Sequence, residues 1–128
     1  MTKYVDLLAL TAYCGLIFWL SDQEMLPMPE VFSFQDKVVH LIAYFVMAVL
    51  CWRALRHIGM TDRNLAALSF VFCNVYGISD EWHQSFVPGR TASIWDWLAD
   101  SLGAALAVFL LPKLNQLLDN KTRRRTSQ

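Results

Sequence analysis

Between Tyr76 and Gly103 the chain reads YGISDEWHQSFVPGRTASIWDWLADSLG, a concentration of ionisable side chains between two strongly apolar flanks. Asp80, His83 and Gln84 fall on one face of a helix, with Glu81 turned roughly a hundred degrees away. Carboxylate beside imidazole is the pairing that general acid–base catalysis uses. Arg90, on a Pro-Gly turn, suits the gripping of a phosphate or carboxylate through paired hydrogen bonds. An earlier block supplies Asp36, Lys37, His40 and Tyr44, in which four-residue spacing puts Asp36, His40 and Tyr44 on one helix face and lets Asp36 orient His40. Ionisable groups at membrane depth are costly unless paired or hydrated, so together they form a functional candidate. A clamp on the helix ends, such as Arg90 with Glu81 or Asp96, accounts for two or three of these residues and not for the whole set.

Taken by role, Glu81, His83, His40 and Asp36 are the expected catalytic groups. Arg90, Lys37, Gln84, Tyr44, Asp80 and Asp96 are the expected substrate-binding groups. Two histidines and several carboxylates could ligate a metal, but no HExxH arrangement specific for zinc is present, so no metal ligand and no cofactor is assigned. Ser79, Ser85 and Ser93 lack the GxSxG context of a serine nucleophile.

The elements that must position these residues are apolar. Of 128 residues 55% are hydrophobic and 17% charged, a balance that favours a membrane protein over a soluble domain. The expected fold is all-α: one integral-membrane four-helix bundle over residues 1–128, with spans at about 5–20, 38–55, 65–85 and 94–111 and a basic tail over 113–128. Asp6 is expected at the interface, where water can hydrate it. The Ser21 to Asp36 segment reads as a loop, broken by Pro27 and Pro29, with enough apolar residues to lie on the bilayer surface. Val87-Pro88-Gly89-Arg90 reads as a tight turn, and Thr91 or Ser93 as a cap for the last span, which Pro112 and Lys113 end. Along that span Ala99, Gly103 and Ala107 make a small-residue stripe against which a neighbouring helix, a second copy or a membrane partner can pack closely.

Charge sets the expected orientation. The N-terminus, the Arg53 to Arg63 loop and the tail from Lys113 hold all the lysines and arginines except Lys37 and Arg90, which places both termini in the cytoplasm. The short loops carrying the polar cluster then face outward, and the Asp36 and Asp80 blocks can meet there. The basic run from Lys121 to Arg125 follows an apolar span, so it reads as a topology or lipid-headgroup signal, with no nucleic-acid partner. Cys14, Cys51 and Cys73 lie in apolar runs without CxxC spacing and read as small buried hydrophobes. No small-x-small cleavage site follows Leu20, so the first span is expected to be retained.

The blocks DKVVHLIAYF from Asp36 and YGISDEWHQSFVPGRTAS from Tyr76, followed by Asp96, Asp100 and Gly103, resemble the VanZ-like family of small bacterial membrane proteins over about residues 21–111. Glu81, Gln84, Arg90 and Asp96 match its second motif, and Asp36, Lys37, His40 and Tyr44 match the Asp-Lys-x-x-His block of a large subgroup, as does His83. Where relatives often have asparagine this chain has Asp100, expected to pair with Arg90 or Lys37 or to stay protonated. The resemblance implies a multi-pass protein of the bacterial cytoplasmic membrane, in a family named for a protein that lowers teicoplanin sensitivity. The leading expectation is a cluster that binds, and possibly modifies, an anionic lipid or lipid-linked envelope precursor. The alternatives are a non-enzymatic scaffold of envelope machinery, or a proton-coupled carrier using Asp96 and Asp100.

Overall fold

The structure, a computed structural model, describes residues 2–24 and 34–126, with side chains described as far as residue 117. Four α-helices follow one another: α1 (Lys3–Ser21), α2 (Gln35–Leu55), α3 (Asp62–Gln84) and α4 (Ile94–Thr126), with a 3-10 turn at Arg56–Ile58. No strand occurs among the described residues. The expected surface-lying loop falls largely on residues 25–33, outside the described ones.

Each connection has a local cause. Gly59, at φ +76°, takes the left-handed conformation that closes the turn after α2. Thr61 Oγ1 then accepts from the Asn64 backbone N–H at 3.3 Å and caps α3. In the predicted Pro-Gly turn the Arg90 N–H donates to the Val87 carbonyl at 3.1 Å and Gly89 sits at φ +78°, as a type II turn requires. The Ser93 carbonyl accepts from the N–H groups of Asp96 and Trp97 and so starts α4.

Three helices are long and apolar enough to cross a membrane: Lys3–Ser21, Gln35–Ile58 and Ile94–Leu117. α3, expected as a fourth span, is long enough at 23 residues but too polar to belong with them. Its polarity points inward: Ser69, Cys73, Gly77, Asp80, Glu81 and Gln84 are buried, while Val71, Val75 and Ile78 on its outer face are more than half exposed. That inside-out distribution suits a helix among apolar neighbours in lipid, where polar groups must find partners within the protein.

α2 is the central element. Tyr44, Met47, Ala48 and Cys51 pack with Cys73 of α3 and with Ala104 and Ala107 of α4 into the core. The small-residue stripe sets the α2–α4 spacing, because a Cβ on Gly103 would collide with the backbone carbonyl of Leu41. Gly103 and Ala107 are therefore buried in the α2–α4 packing, so this part of the stripe receives a neighbouring helix of the same chain, while Ala99 is half-buried. α1 is tied on by Tyr13, whose hydroxyl donates to the Ala43 carbonyl at 3.0 Å, and by Tyr76, whose hydroxyl donates to the Cys14 carbonyl at 2.6 Å. All three cysteines are free thiols.

Two expectations are corrected. α4 does not stop at Pro112: the helix runs through it to Thr126. Proline removes one backbone hydrogen bond, and the apolar residues on both sides, Leu110, Leu111 and Leu114, continue the helical face across the gap. Asp6 is not hydrated at an interface but is 1% exposed. Its two oxygens are held by Arg53 at 3.0 Å and by His57 at 2.8 Å, so the end of α2 folds its cations over the start of α1.

Candidate functional site

At the opposite end of the bundle from Asp6, the C-termini of α1 and α3 meet the N-termini of α2 and α4. The two polar blocks of the sequence come together there, drawn from helices more than from loops. The side chains separate into two sets on the two sides of the α3 terminus.

The inner set centres on His40. Its Nδ1 lies 2.9 Å from Asp100 Oδ1, and Asp100 is fully buried. One carboxylate oxygen of Glu81 completes a group whose donor atoms all lie within 4.8 Å of one another. The other contacts of Glu81 define its orientation: Oε2 accepts from the Ser93 backbone N–H at 2.6 Å, which ties α3 to the start of α4. Gly77 makes the closeness possible, because a Cβ there would stand 3.3 Å from Asp100 Oδ2, 3.3 Å from Trp97 Cδ1 and 3.4 Å from Tyr44 Cε1. Glu81 Oε1, Asp100 Oδ2, the Tyr44 hydroxyl and Trp97 Nε1 are buried without a hydrogen-bond partner among the described residues. Beside them Lys37 pairs with Asp96 and, at 2.5 Å, with Asp36.

The outer set is a clamp between α1 and α3. Asp80 accepts from Ser21 Oγ at 2.6 Å and from Gln84 Nε2 at 3.1 Å, so both of its oxygens are satisfied. Arg90 donates from Nε to the Gln23 carbonyl at 2.9 Å, from Nη2 to the Leu20 carbonyl at 3.1 Å and from Nη1 to Gln84 Oε1 at 3.4 Å. The last carbonyls of α1 lack partners within their helix, and the guanidinium fork answers them. His83 sits on the rim, 3.2 Å from Asp22 Oδ1 and stacked on Phe18.

Of the expected catalytic residues, His40 and Glu81 are brought together and His83 stands apart from them on the rim. Asp36 does not orient His40. It lies mostly exposed at the start of α2, where the adjacent Lys37 takes its carboxylate, and Asp100 from α4 faces the imidazole instead. Nor does Asp100 pair with Arg90 or Lys37; its partner is His40. Of the expected binding residues, Asp96, Lys37 and Tyr44 border the His40 group, whereas Arg90, Gln84 and Asp80 belong to the clamp. Ser21, Gln23 and Leu20 were not singled out by the sequence, because two of them contribute backbone carbonyls, which no side-chain pattern announces; Ser93, expected as a cap, contributes its backbone N–H to Glu81.

Two clefts flank the end of α3. One, of 360 Å³, is lined by Ile78, Glu81, Ala92, Ser93, Ile94 and Trp97, so its lining is mostly apolar and includes Glu81. The other, of 470 Å³, lies against Asp80 and His83 and is walled by aromatic residues of α1 and α3.

The chain is similar to a protein of Schizosaccharomyces pombe described as uncharacterized, at 29% identity over 108 residues, which cover 84% of this chain and 59% of that one. The chain thus spans about three fifths of the length of that relative. No solved structure matches. The VanZ/LLP1 family model matches residues 7–116, a range that reaches into all four helices and includes every residue of both polar sets, and the chain therefore belongs to the VanZ/LLP1 family.

Proposed function

We propose that this VanZ-like membrane protein binds an anionic amphiphile, a phospholipid or a lipid-linked envelope precursor, and performs acid–base chemistry on its headgroup at the His40 group. The observation that carries this reading is the apolar cleft beside Glu81. Ile78, Ala92, Ile94 and Trp97 offer a surface to hydrocarbon, and the same cleft is lined by Glu81, whose carboxylate neighbours His40 and Asp100. A mostly apolar lining with one carboxylate of a polar group matches a molecule with a chain and a polar head. His40, oriented by Asp100, and Glu81 are the acid–base pair of this proposal, and Lys37 with Tyr44 supplies donors toward the headgroup. Arg90, Gln84 and Asp80 act through position, because their hydrogen bonds hold α1 against the α3–α4 turn.

In this proposal both termini face the cytoplasm of a bacterial cell and the His40 group lies at the outer leaflet of its cytoplasmic membrane, following the distribution of lysine and arginine. A precursor as ligand would also link the protein to teicoplanin susceptibility. The test is native mass spectrometry of the full chain released from bilayers of mixed phosphatidylglycerol and phosphatidylcholine. Wild type should retain the anionic lipid selectively, and Glu81→Gln and His40→Ala should lose that selectivity. Equal retention by wild type and both variants would sink the proposal.

The clamp favours a second reading for its own half of the cluster. The hydrogen bonds of Asp80, Gln84 and Arg90 join these residues to Ser21, Gln23 and Leu20 and Gln84 to both of the others, as a structural lock between α1 and α3 would have it. A scaffold reading predicts that substitutions in the His40 group, as in the clamp, change only the amount of folded protein.

A further inference from the structure

We infer that His40, Glu81 and Asp100 form a binding site for a divalent transition-metal ion of the zinc or manganese type, with its remaining coordination positions turned toward the cleft at Glu81. Imidazole nitrogen with two carboxylate oxygens is a donor set for such ions, harder than the thiolate sets of structural zinc. The three donor atoms come from three different helices and converge to within 4.8 Å of one another. In a tetrahedral shell with bonds near 2.1 Å, ligand atoms stand about 3.4 Å apart, so an ion would draw these in by about 1.4 Å at most, within reach of side-chain rotation.

Two independent observations point to a missing ligand. Glu81 and Asp100 are 7% and 0% exposed, yet Glu81 Oε1 and Asp100 Oδ2 have no hydrogen-bond partner. Buried carboxylate oxygens are ordinarily satisfied, and two orphans in one three-residue group call for a common partner that is a cation or donor. Charge says the same. Glu81, Asp96 and Asp100 are three carboxylates around Lys37 and His40, and Lys37 is already divided between Asp96 and Asp36. A divalent ion would offset that excess of negative charge.

The inference rests on the function proposed above only for its ligand and revises its chemistry: with an ion bound, His40 and Glu81 would be the ion's ligands and the acid–base work would pass to the ion's open positions. An anionic headgroup approaching Glu81 and Asp100 would be repelled by them, whereas an ion held between them presents open positions to a phosphate oxygen. Metal binding itself needs no lipid. The three-ligand count, with no fourth donor in the group among the described residues, is that of a site left open on one side.

The experiment uses the full-length protein in detergent micelles, stripped with a chelator and titrated separately with Zn²⁺ and Mn²⁺, with Mg²⁺ as the oxygen-preferring comparison. We expect Zn²⁺ or Mn²⁺ to bind stoichiometrically, and Glu81→Gln and Asp100→Asn each to weaken binding about tenfold or more. His57→Ala, which removes the imidazole at the other end of the bundle, should leave binding unchanged. X-ray absorption of the loaded wild-type protein should show an oxygen and nitrogen shell with one imidazole and no sulfur. That measurement needs no variant, so it decides the matter even where the substitutions prevent folding. Failure of both ions to bind, a sulfur shell, a shell without imidazole, or unchanged affinity in both carboxamide variants would overturn the inference. A protein that binds no metal but keeps its anionic lipid would lose this site and keep the proposed function; one that binds metal and no lipid would do the reverse.

Discussion

His40 and Asp100 stand sixty positions apart in the chain and 2.9 Å apart in the folded protein. The pair joins α2 to α4 at the level where Gly103 lets the two backbones touch, so the geometry of the His40 group depends on the packing of a glycine one turn away. Substitutions in the packing and in the polar group therefore have separable signatures.

Replacing Gly103 with alanine forces a methyl group into the Leu41 carbonyl, and backbone cannot move aside as a side chain can. Overpacking of this kind typically costs about 1–3 kcal/mol, and a backbone clash belongs at the upper end. Thermal unfolding in detergent should show a clear fall in midpoint for Gly103→Ala. An unchanged midpoint would mean that α2 and α4 do not approach as described.

Arg90→Ala removes three hydrogen bonds that join the end of α1 and Gln84 to the turn before α4. A loss of about 1–3 kcal/mol is expected, and Arg90→Lys should recover little of it, because an ammonium cannot reproduce a fork that answers two carbonyls. The folded fraction of Arg90→Ala should still bind anionic lipid. Selective loss of lipid binding at unchanged stability would return Arg90 to the headgroup.

Asp6 and Asp36 both pair with cations but differ in burial, at 1% for Asp6 as a residue and 58% for the Asp36 side chain. Asp36→Asn should change stability by no more than about 1 kcal/mol, the usual range for an exposed pair. Asp6→Asn should lower the unfolding midpoint far more, since it leaves Arg53 and His57 facing a neutral group. Equal effects in the two variants would contradict the burial of Asp6.

The proposed orientation is open to labelling. Phe34 is 71% exposed at the start of α2, and Arg63 is exposed at the start of α3, at the opposite end of the bundle. An impermeant thiol reagent applied to intact cells should label Phe34→Cys and leave Arg63→Cys unlabelled until the membrane is opened. The reverse pattern would put the His40 group on the cytoplasmic side.

Much of this fold was legible in composition and local signals. Alternation of apolar runs with polar breaks located four helices, and Pro88-Gly89 located the turn between the last two, because both depend on a residue's neighbours in the chain. The meeting of the Asp36 and Asp80 blocks followed from an up-and-down order of four helices. What the chain order could not give was the choice of partners. Four-residue spacing placed Asp36 near His40, but Lys37 captures Asp36 and the imidazole turns to a carboxylate sixty positions away. Asp6 read as a solvated start because its cations lie beyond the end of α2. Metal donors read one by one matched no linear motif, since each of His40, Glu81 and Asp100 comes from a different helix.

The contact between Gly103 and Leu41 closes the α2–α4 seam at that level, and the two clefts described above open beside α3. Under the proposed function, a lipid moving between bilayer and polar cluster would pass along the flanks of that helix. A neighbour docked on the far sides of α2 and α4 would leave that doorway clear, while one docked on α3 would obstruct it, so crowding in the membrane would throttle the proposed function from one direction.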